Sequence, residues 1–346
     1  MESLLIYGAY GYTGERIART AVDRGHTPVL AGRNPNPLHS LAADLGVRSR
    51  TFALDDDIES HLNGIETVLN CAGPFEKTAD PLVEACLNRG VDYLDITGEL
   101  PVFERLARRD DEAAAAGSTL LPGVGFDVVP TDCLAAHLAA RLEVPTQLSI
   151  AISATGSLSG GTLKTLINGL GSGSAVRENG HLRAAPTGSK SRVVDFGAGN
   201  RTVISVPLGD LTTAFRSTGV PNITTYVAVP DAAVHAVRLG QPIERLLSTN
   251  PVSRLLTGVV DRFVDGPTDA QRAASETTVW AEAWSEPTGK TVESVLRTPD
   301  PYDVTVEAAL AASESVGEVE AGFQTPSTAF GADFAVELPG VSREDR

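Results

Sequence analysis

The chain is most constrained by its opening. A short apolar run, Leu4-Leu5-Ile6-Tyr7, stops at Gly8-Ala9-Tyr10-Gly11-Tyr12-Thr13-Gly14, and apolar residues at 17, 18, 21 and 22 then recur at helical spacing before Gly25. This order predicts a strand, a tight glycine turn and a helix. The first amides of such a helix have no intrahelical partners and point into the turn, where glycines let a pyrophosphate approach the backbone without meeting a Cβ. The turn therefore reads as a dinucleotide site. The spacing Gly8, Gly11, Gly14 has a wider first gap than G-x-G-x-x-G, and the chain contains 33 glycines, so the order of elements carries this reading against a plain strand-to-helix turn.

The next strand, over 27–34, ends in Arg33, and no acid follows until Asp44. A site for NAD places Asp or Glu there to bind the ribose 2′-hydroxyl. A basic residue in that place favours a 2′-phosphate and hence NADP(H); the alternative is a solvated surface arginine.

A length of 346 residues suffices for two domains, each with its own core. No run approaches the roughly 18 apolar residues of a membrane span, and the chain runs straight into a strand, so neither a span nor a signal peptide is expected. Cys71, Cys86 and Cys133 share no C-x-x-C spacing, which suits free thiols in a reducing cytoplasm. The six histidines have no metal-ligand spacing, so no metal site is expected. A net charge of −16 argues against nucleic acid and anionic membranes as partners. Only four lysines (Lys77, Lys164, Lys190, Lys290) stand among 28 basic residues, and such a carboxylate-rich, lysine-poor surface suits high salt, a halophilic trait.

Strand–helix alternation continues with a helix over 38–45 and a strand over 49–53. Asp55, Asp56 and Asp57 are placed to cap a helix over 58–62. A buried strand, Val68-Leu69-Asn70, ends at Cys71-Ala72-Gly73-Pro74, and Asp80-Pro81 reads as the start of a helix ending at Gly90. A strand over 91–96 ends at Thr97-Gly98-Glu99, one long helix is expected over 101–116, and a strand over 119–121 leads through Gly125-Phe126-Asp127 to a helix over 133–142. This is the pattern of an α/β, Rossmann-type doubly wound parallel sheet. From 146 the pattern turns strand-rich, with strands over 148–155, 192–196, 201–206, 223–229, 276–285 and 290–297, the last two a hairpin, as in a second α+β domain. Helices are expected over 159–170 and 232–266, the latter with an apolar stripe facing the core or another subunit. Segment 171–200 is polar and glycine-rich and opens as a loop. The chain closes with helices over 303–315 and from Thr325-Pro326 to Leu338, then frayed polar residues.

Taken together, GAYGYTG, LAGRN, VLNCAGPF, YLDITGE, GFDVVPTD and the late GFQTPSTAFG resemble the saccharopine dehydrogenase-like oxidoreductases, in particular the branch of trans-acting enoyl reductases. The resemblance implies an NADP(H)-binding domain over 1–130, a substrate and dimerisation domain over 131–314, and C-terminal helices at about 315–340 that return to the first domain; a homodimer is within that expectation. It implies cofactor contacts at Gly8, Ala9, Tyr10, Gly11, Tyr12, Thr13, Gly14 and Arg33, with Cys71, Ala72, Gly73 and Pro74 near the nicotinamide ribose.

In such a protein the nicotinamide carries the hydride and the chain supplies or stabilises a proton. No tyrosine has Lys four residues on, which excludes the Tyr-x-x-x-Lys arrangement of short-chain reductases. The candidates at the ends of strands four to six are Asp127, Glu99 and Asp95, with Lys77 and Thr97 beside them; the alternative for each carboxylate is a helix cap. Two functions compete: an NADP(H)-dependent oxidoreductase acting on a C=C or C=N bond of a small or lipid-like substrate, or an NADP(H)-binding sensor or assembly protein without turnover.

Overall fold

The structure is a computed structural model that describes residues 3–155, 174–230 and 276–346. It divides into two compact units, Met1–Cys133 with Pro301–Pro339, and Leu134–Asp300 with Gly340–Arg346. The helices expected over 159–170 and 232–266 lie outside the described residues.

The first unit is built on a parallel sheet of seven strands: β1 (Leu4–Tyr7), β2 (Val29–Gly32), β3 (Ser49–Thr51), β4 (Thr67–Asn70), β5 (Asp92–Asp95), β6 (Thr119–Leu121) and β15 (Gly322–Phe323), in the order β15-β6-β5-β4-β1-β2-β3. Every residue of β1, β2 and β4 is buried, which is why these strands read as unbroken apolar runs rather than alternating ones. β1 sits centrally, with Leu5 opposite Val29 on one side and Val68 on the other. The connecting helices are α1 (Tyr12–Asp23), α2 (Pro35–Leu45), α3 (Phe75–Arg89), α4 (Leu100–Ala107), α5 (Asp110–Ala116) and α6 (Val129–Ala140). The core beneath one sheet face joins Leu5, Val29 and Val68 to Leu82, Val83 and Cys86 of α3 and to Val102, Phe103 and Leu106 of α4.

Two helix boundaries differ from the sequence reading because a distant group supplies a hydrogen bond, and one expected cap is replaced by a local bond. α3 begins at Phe75, not Asp80, and holds Pro81 inside it. The Glu99 carboxylate accepts from the Phe75 and Glu76 amides and starts the helix earlier, so that the missing Pro81 N–H costs an interior bond instead of an orphan one. The single helix expected over 101–116 is two, because the Asp110 carboxylate accepts from the Phe323 amide and turns α5 toward β15. The Asp56 carboxylate accepts from the Ala53 amide at 2.7 Å instead of capping the 3-10 turn Ile58–Leu62, whose N-cap Asp57 makes no side-chain cap bond.

The second unit carries a mixed sheet, in the order β10-β11-β12-β7-β13-β14-β16, with β8 and β9 branching from β12. Its strands are β7 (Gln147–Thr155), β8 (Ser174–Glu178), β9 (His181–Ala185), β10 (Ser191–Asp195), β11 (Asn200–Ser205), β12 (Asn222–Ala228), β13 (Glu276–Ser285), β14 (Lys290–Thr298) and β16 (Ser342–Asp345). The β13–β14 hairpin closes where expected, through Gly289 at φ 65° and the Gly289 amide on the Ser285 carbonyl. The polar segment expected as a loop after 170 contains the β8–β9 hairpin, turned at Asn179-Gly180, both at positive φ. α7 (Asp210–Thr218) has no counterpart in the sequence reading.

The C-terminal stretch was expected to end in one helix and a frayed tail. Instead α8 (Pro301–Ser315) is followed by β15, by α9 (Pro326–Phe330) and α10 (Phe334–Glu337) separated at Gly331, φ 91°, and by β16, which pairs with β14. The tail is ordered by the Ser294 and Arg297 side chains, which bond Asp345 and Glu344.

Candidate active site

The carboxyl ends of β1, β2, β4, β5 and β6 bring together nearly all the residues singled out from the sequence. Gly8 leaves β1 at φ 81°, and its amide donates to the Ala31 carbonyl of β2 at 2.8 Å. A Cβ on Gly8 would stand 2.9 Å from the Ala72 Cβ and amide, so the turn after β1 and the turn after β4 touch. A Cβ on Gly14 would lie 2.4 Å from the Gly8 carbonyl oxygen, which leaves glycine as the residue that lets α1 start against the turn. Gly11 is the N-cap of α1 and brings no side-chain acceptor, so the helix offers its first amides to an anion. These are features a pyrophosphate fits. Thr13 is half-buried in the first turn of α1, while the Tyr12 ring stands edge-on to Tyr302 of α8 at 4.9 Å, turned to that helix. Arg33 is exposed at the end of β2 and forms no ion pair among the described residues.

The ends of β4, β5 and β6 are joined by one buried network. The Asn70 amide donates to the Thr78 and Tyr93 hydroxyls, both at 3.1 Å, and its oxygen accepts from the Ala72 amide. The Tyr93 hydroxyl donates to Asp95 Oδ2 at 2.9 Å, and Asp95 Oδ1 accepts from the Thr97 and Gly123 amides at 3.0 Å. Asp95 is fully buried; burial pushes its carboxyl up to about 6, against the pull of its three donors. Burial likewise raises the Tyr93 hydroxyl and the Cys71 thiol, so Cys71 is no ready thiolate.

The three candidate carboxylates thus fall into different settings. Asp95 is engaged within the network, one oxygen by two amides and the other by the Tyr93 hydroxyl. Glu99 is engaged at the N-terminus of α3, at 2.9 and 2.7 Å from the Phe75 and Glu76 amides, its carboxyl raised by burial and pulled back down by those two bonds. Asp127 has no hydrogen-bond or ion partner among the described residues. Water reaches its side chain, yet surrounding protein raises its carboxyl, and its Oδ2 stands 2.8 Å from where a Cβ on Gly98 would be. Lys77 is exposed in the first turn of α3, and Gly73 and Pro74 are exposed just before it.

Residues 4–121, which run from β1 to the end of β6 and stop short of Gly123 and Asp127, match the model of the family described as the saccharopine dehydrogenase NADP binding domain. The match is confined to this stretch of the chain. Its cofactor is NADP(H). The chain is similar to a saccharopine dehydrogenase-like oxidoreductase of Arabidopsis thaliana, 34% identical over 37% of this chain and 33% of that protein. It is also similar to a trans-acting enoyl reductase of Mycobacterium leprae, 32% identical over 37% of this chain and 33% of the relative, and to a human saccharopine dehydrogenase-like oxidoreductase, 28% identical over 51% and 47%. The matched region spans a third to about half the length of these relatives. The apo saccharopine dehydrogenase (L-Glu forming) of Saccharomyces cerevisiae shares the fold across 100% of both chains, with a TM-score of 0.65 at 10% identity.

Within this NADP-binding domain, sequence reasoning missed Asn70, Thr78 and Tyr93. Each stands in an apolar run or helix and shows its purpose only when neighbouring strands align, as Asn70 with Asp95 and Val68 with Tyr93. It also missed Thr305, far along the chain, whose hydroxyl accepts from the Phe126 amide at 3.0 Å and holds the turn that bears Asp127. Among the described residues no group of three or more His, Cys, Asp or Glu could hold a metal ion, and no helix is long and apolar enough to cross a membrane.

Proposed function

We propose that the chain is an NADP(H)-dependent oxidoreductase acting on a C=C or C=N bond of a small or lipid-like substrate, with Asp127 as the proton-handling residue. The observation that supports this most is the contrast among the carboxylates: Asp95 and Glu99 are engaged by amide donors, whereas Asp127 is solvent-reached, raised and without a hydrogen-bond or ion partner among the described residues. A carboxyl raised above its ordinary range holds a proton closer to neutral pH, as a general acid requires. NADPH, when bound, supplies the hydride. Asp127 then gives its proton to the acceptor atom that gains electron density, or to a water that does so, and regains one from solvent. Glu99 fixes the start of α3 and with it Gly73-Pro74, and Asp95 ties the turns after β5 and β6.

The test is NADPH oxidation over panels of enoyl and imine substrates. Asp127→Asn should keep NADPH affinity and lower turnover about 10²-fold or more, the scale of a general acid–base contribution. Glu99→Gln should act mainly on thermal stability. Normal turnover in Asp127→Asn would remove Asp127 from the reaction; tight NADPH binding without oxidation by either panel would favour a sensor or assembly protein.

A further inference from the structure

Arg33 is flanked by Gly32 and Asn34, and both neighbours are touched by one side chain from the pyrophosphate turn. The Tyr10 hydroxyl accepts from the Asn34 amide at 3.3 Å. The Tyr10 ring fills the space beside Gly32, where a Cβ would lie 2.6 Å from Cε1, 3.3 Å from Cδ1 and 3.4 Å from Cζ. Gly32 is not among the glycines at positive φ, so it is the ring, not the backbone conformation, that excludes a side chain there. Immediately upstream, the Gly8 and Ala9 amides share the Ala31 carbonyl, at 2.8 and 3.2 Å, and tie the same corner from the other side. The guanidinium itself has no ion pair among the described residues to hold it, so what locates it is this corner. Of the nearby acids at the end of β3, Asp56 is turned back onto the Ala53 amide.

We propose that Tyr10 is a specificity-determining positioning residue: it braces the Gly32–Asn34 corner so that Arg33 meets the 2′-phosphate, and so sets the preference for NADPH over NADH. The proposal rests on the reading of Arg33 as the group that contacts that phosphate. The two cofactors share every other group, so damage to the pyrophosphate turn weakens both alike, whereas misplacing Arg33 weakens NADPH alone. The affinity ratio therefore separates a positioning role from a merely structural one.

The experiment is titration of the full chain with NADPH and NADH by fluorescence, for wild type, Arg33→Ala, Tyr10→Phe, Tyr10→Ala and the Tyr10→Ala/Arg33→Ala double variant, with melting curves for each. Arg33→Ala should lower the NADPH:NADH affinity ratio about tenfold or more, Tyr10→Ala about fivefold and Tyr10→Phe about twofold. Because Tyr10 acts through Arg33, the double variant should have the ratio of Arg33→Ala alone. If Arg33→Ala lowers the ratio while both Tyr10 variants weaken the two cofactors equally, Tyr10 has no selective role. If Arg33→Ala leaves the ratio unchanged, the reading of Arg33 falls and takes the role of Tyr10 with it.

Discussion

A carboxylate with three donors is ordinarily held ionised, yet Asp95 is pushed up from 3.8 to about 6, because complete burial outweighs the bonds from Tyr93, Thr97 and Gly123. Among the groups around it, Glu99 raises it further by like charge, and Tyr93 and Cys71 are themselves raised by burial. The folded chain therefore binds this proton more tightly than the unfolded one, and the Asp95 contribution to stability falls as pH rises from about 4 to about 6. A shift from 3.8 to about 6 corresponds to at most about 3 kcal/mol. Asp95→Asn keeps an acceptor for the two amides and removes the titration. The difference in unfolding free energy, wild type minus Asp95→Asn, should therefore drop by up to that amount between pH 4 and 6; parallel curves from denaturant titrations would show that the folded state exacts no charge penalty there. Sequence marked Asp95 as a candidate acid because it ends a strand, but the donors that occupy it come from residues 2 and 28 positions away, and only register reveals them.

At the scale of elements, the C-terminal segment completes the first unit. β15 pairs with β6, Gly322 opposite Thr119, and its Phe323 amide is taken by Asp110. α9 then starts in a reciprocal cap: the Thr325 hydroxyl accepts from the Thr328 amide at 3.3 Å and the Thr328 hydroxyl accepts from the Thr325 amide at 2.8 Å, while Asp132 Oδ2 accepts from the Ser327 amide. Loss of a buried cap residue costs roughly 1–2 kcal/mol, so Thr325→Ala should lower the denaturant midpoint by that equivalent with an unchanged slope. An unaltered midpoint would mean that Asp132 alone carries the helix start. Thr325-Pro326 was readable as a helix start because the signal is local. The break at Gly331 and the two-residue strand before the cap were not, since a strand that short has no periodicity to detect.

At the scale of the molecule, charge is the dominant feature. Arg16 of α1, and Arg24 and His26 in the turn that follows it, pair with Asp303, Glu307 and Glu314 of α8 within the first unit, and Arg297–Glu344, Arg141–Asp345 and His137–Asp345 hold β16 within the second. Such partly exposed pairs are individually worth about 0–1 kcal/mol and are screened by salt. The excess of 44 acidic over 28 basic side chains is screened as well, and with −16 uncompensated charges the relief of repulsion outweighs the loss of a few pairs. We propose a salt-adapted surface. The melting temperature should climb from dilute buffer to molar KCl; a flat or falling profile would show that pairing, not repulsion, governs the surface.

The sequence by itself determined the strand–helix alternation of the first unit from β1 to β6. Buried parallel strands, glycine turns and helix starts are written in contiguous residues, which is why they are legible before any long-range contact is known. Tertiary structure decided the roles of the polar side chains. Asp95, Glu99 and Asp127 look alike in sequence, each an acid at or soon after the end of a strand, and they differ because Gly123, Phe75 and Glu76 bring donors to the first two, whereas none comes to the third among the described residues. It also decided the β8–β9 hairpin, β15 and β16, whose backbone groups find partners far along the chain, since short polar strands are specified by the sheet they join and not by a pattern of their own.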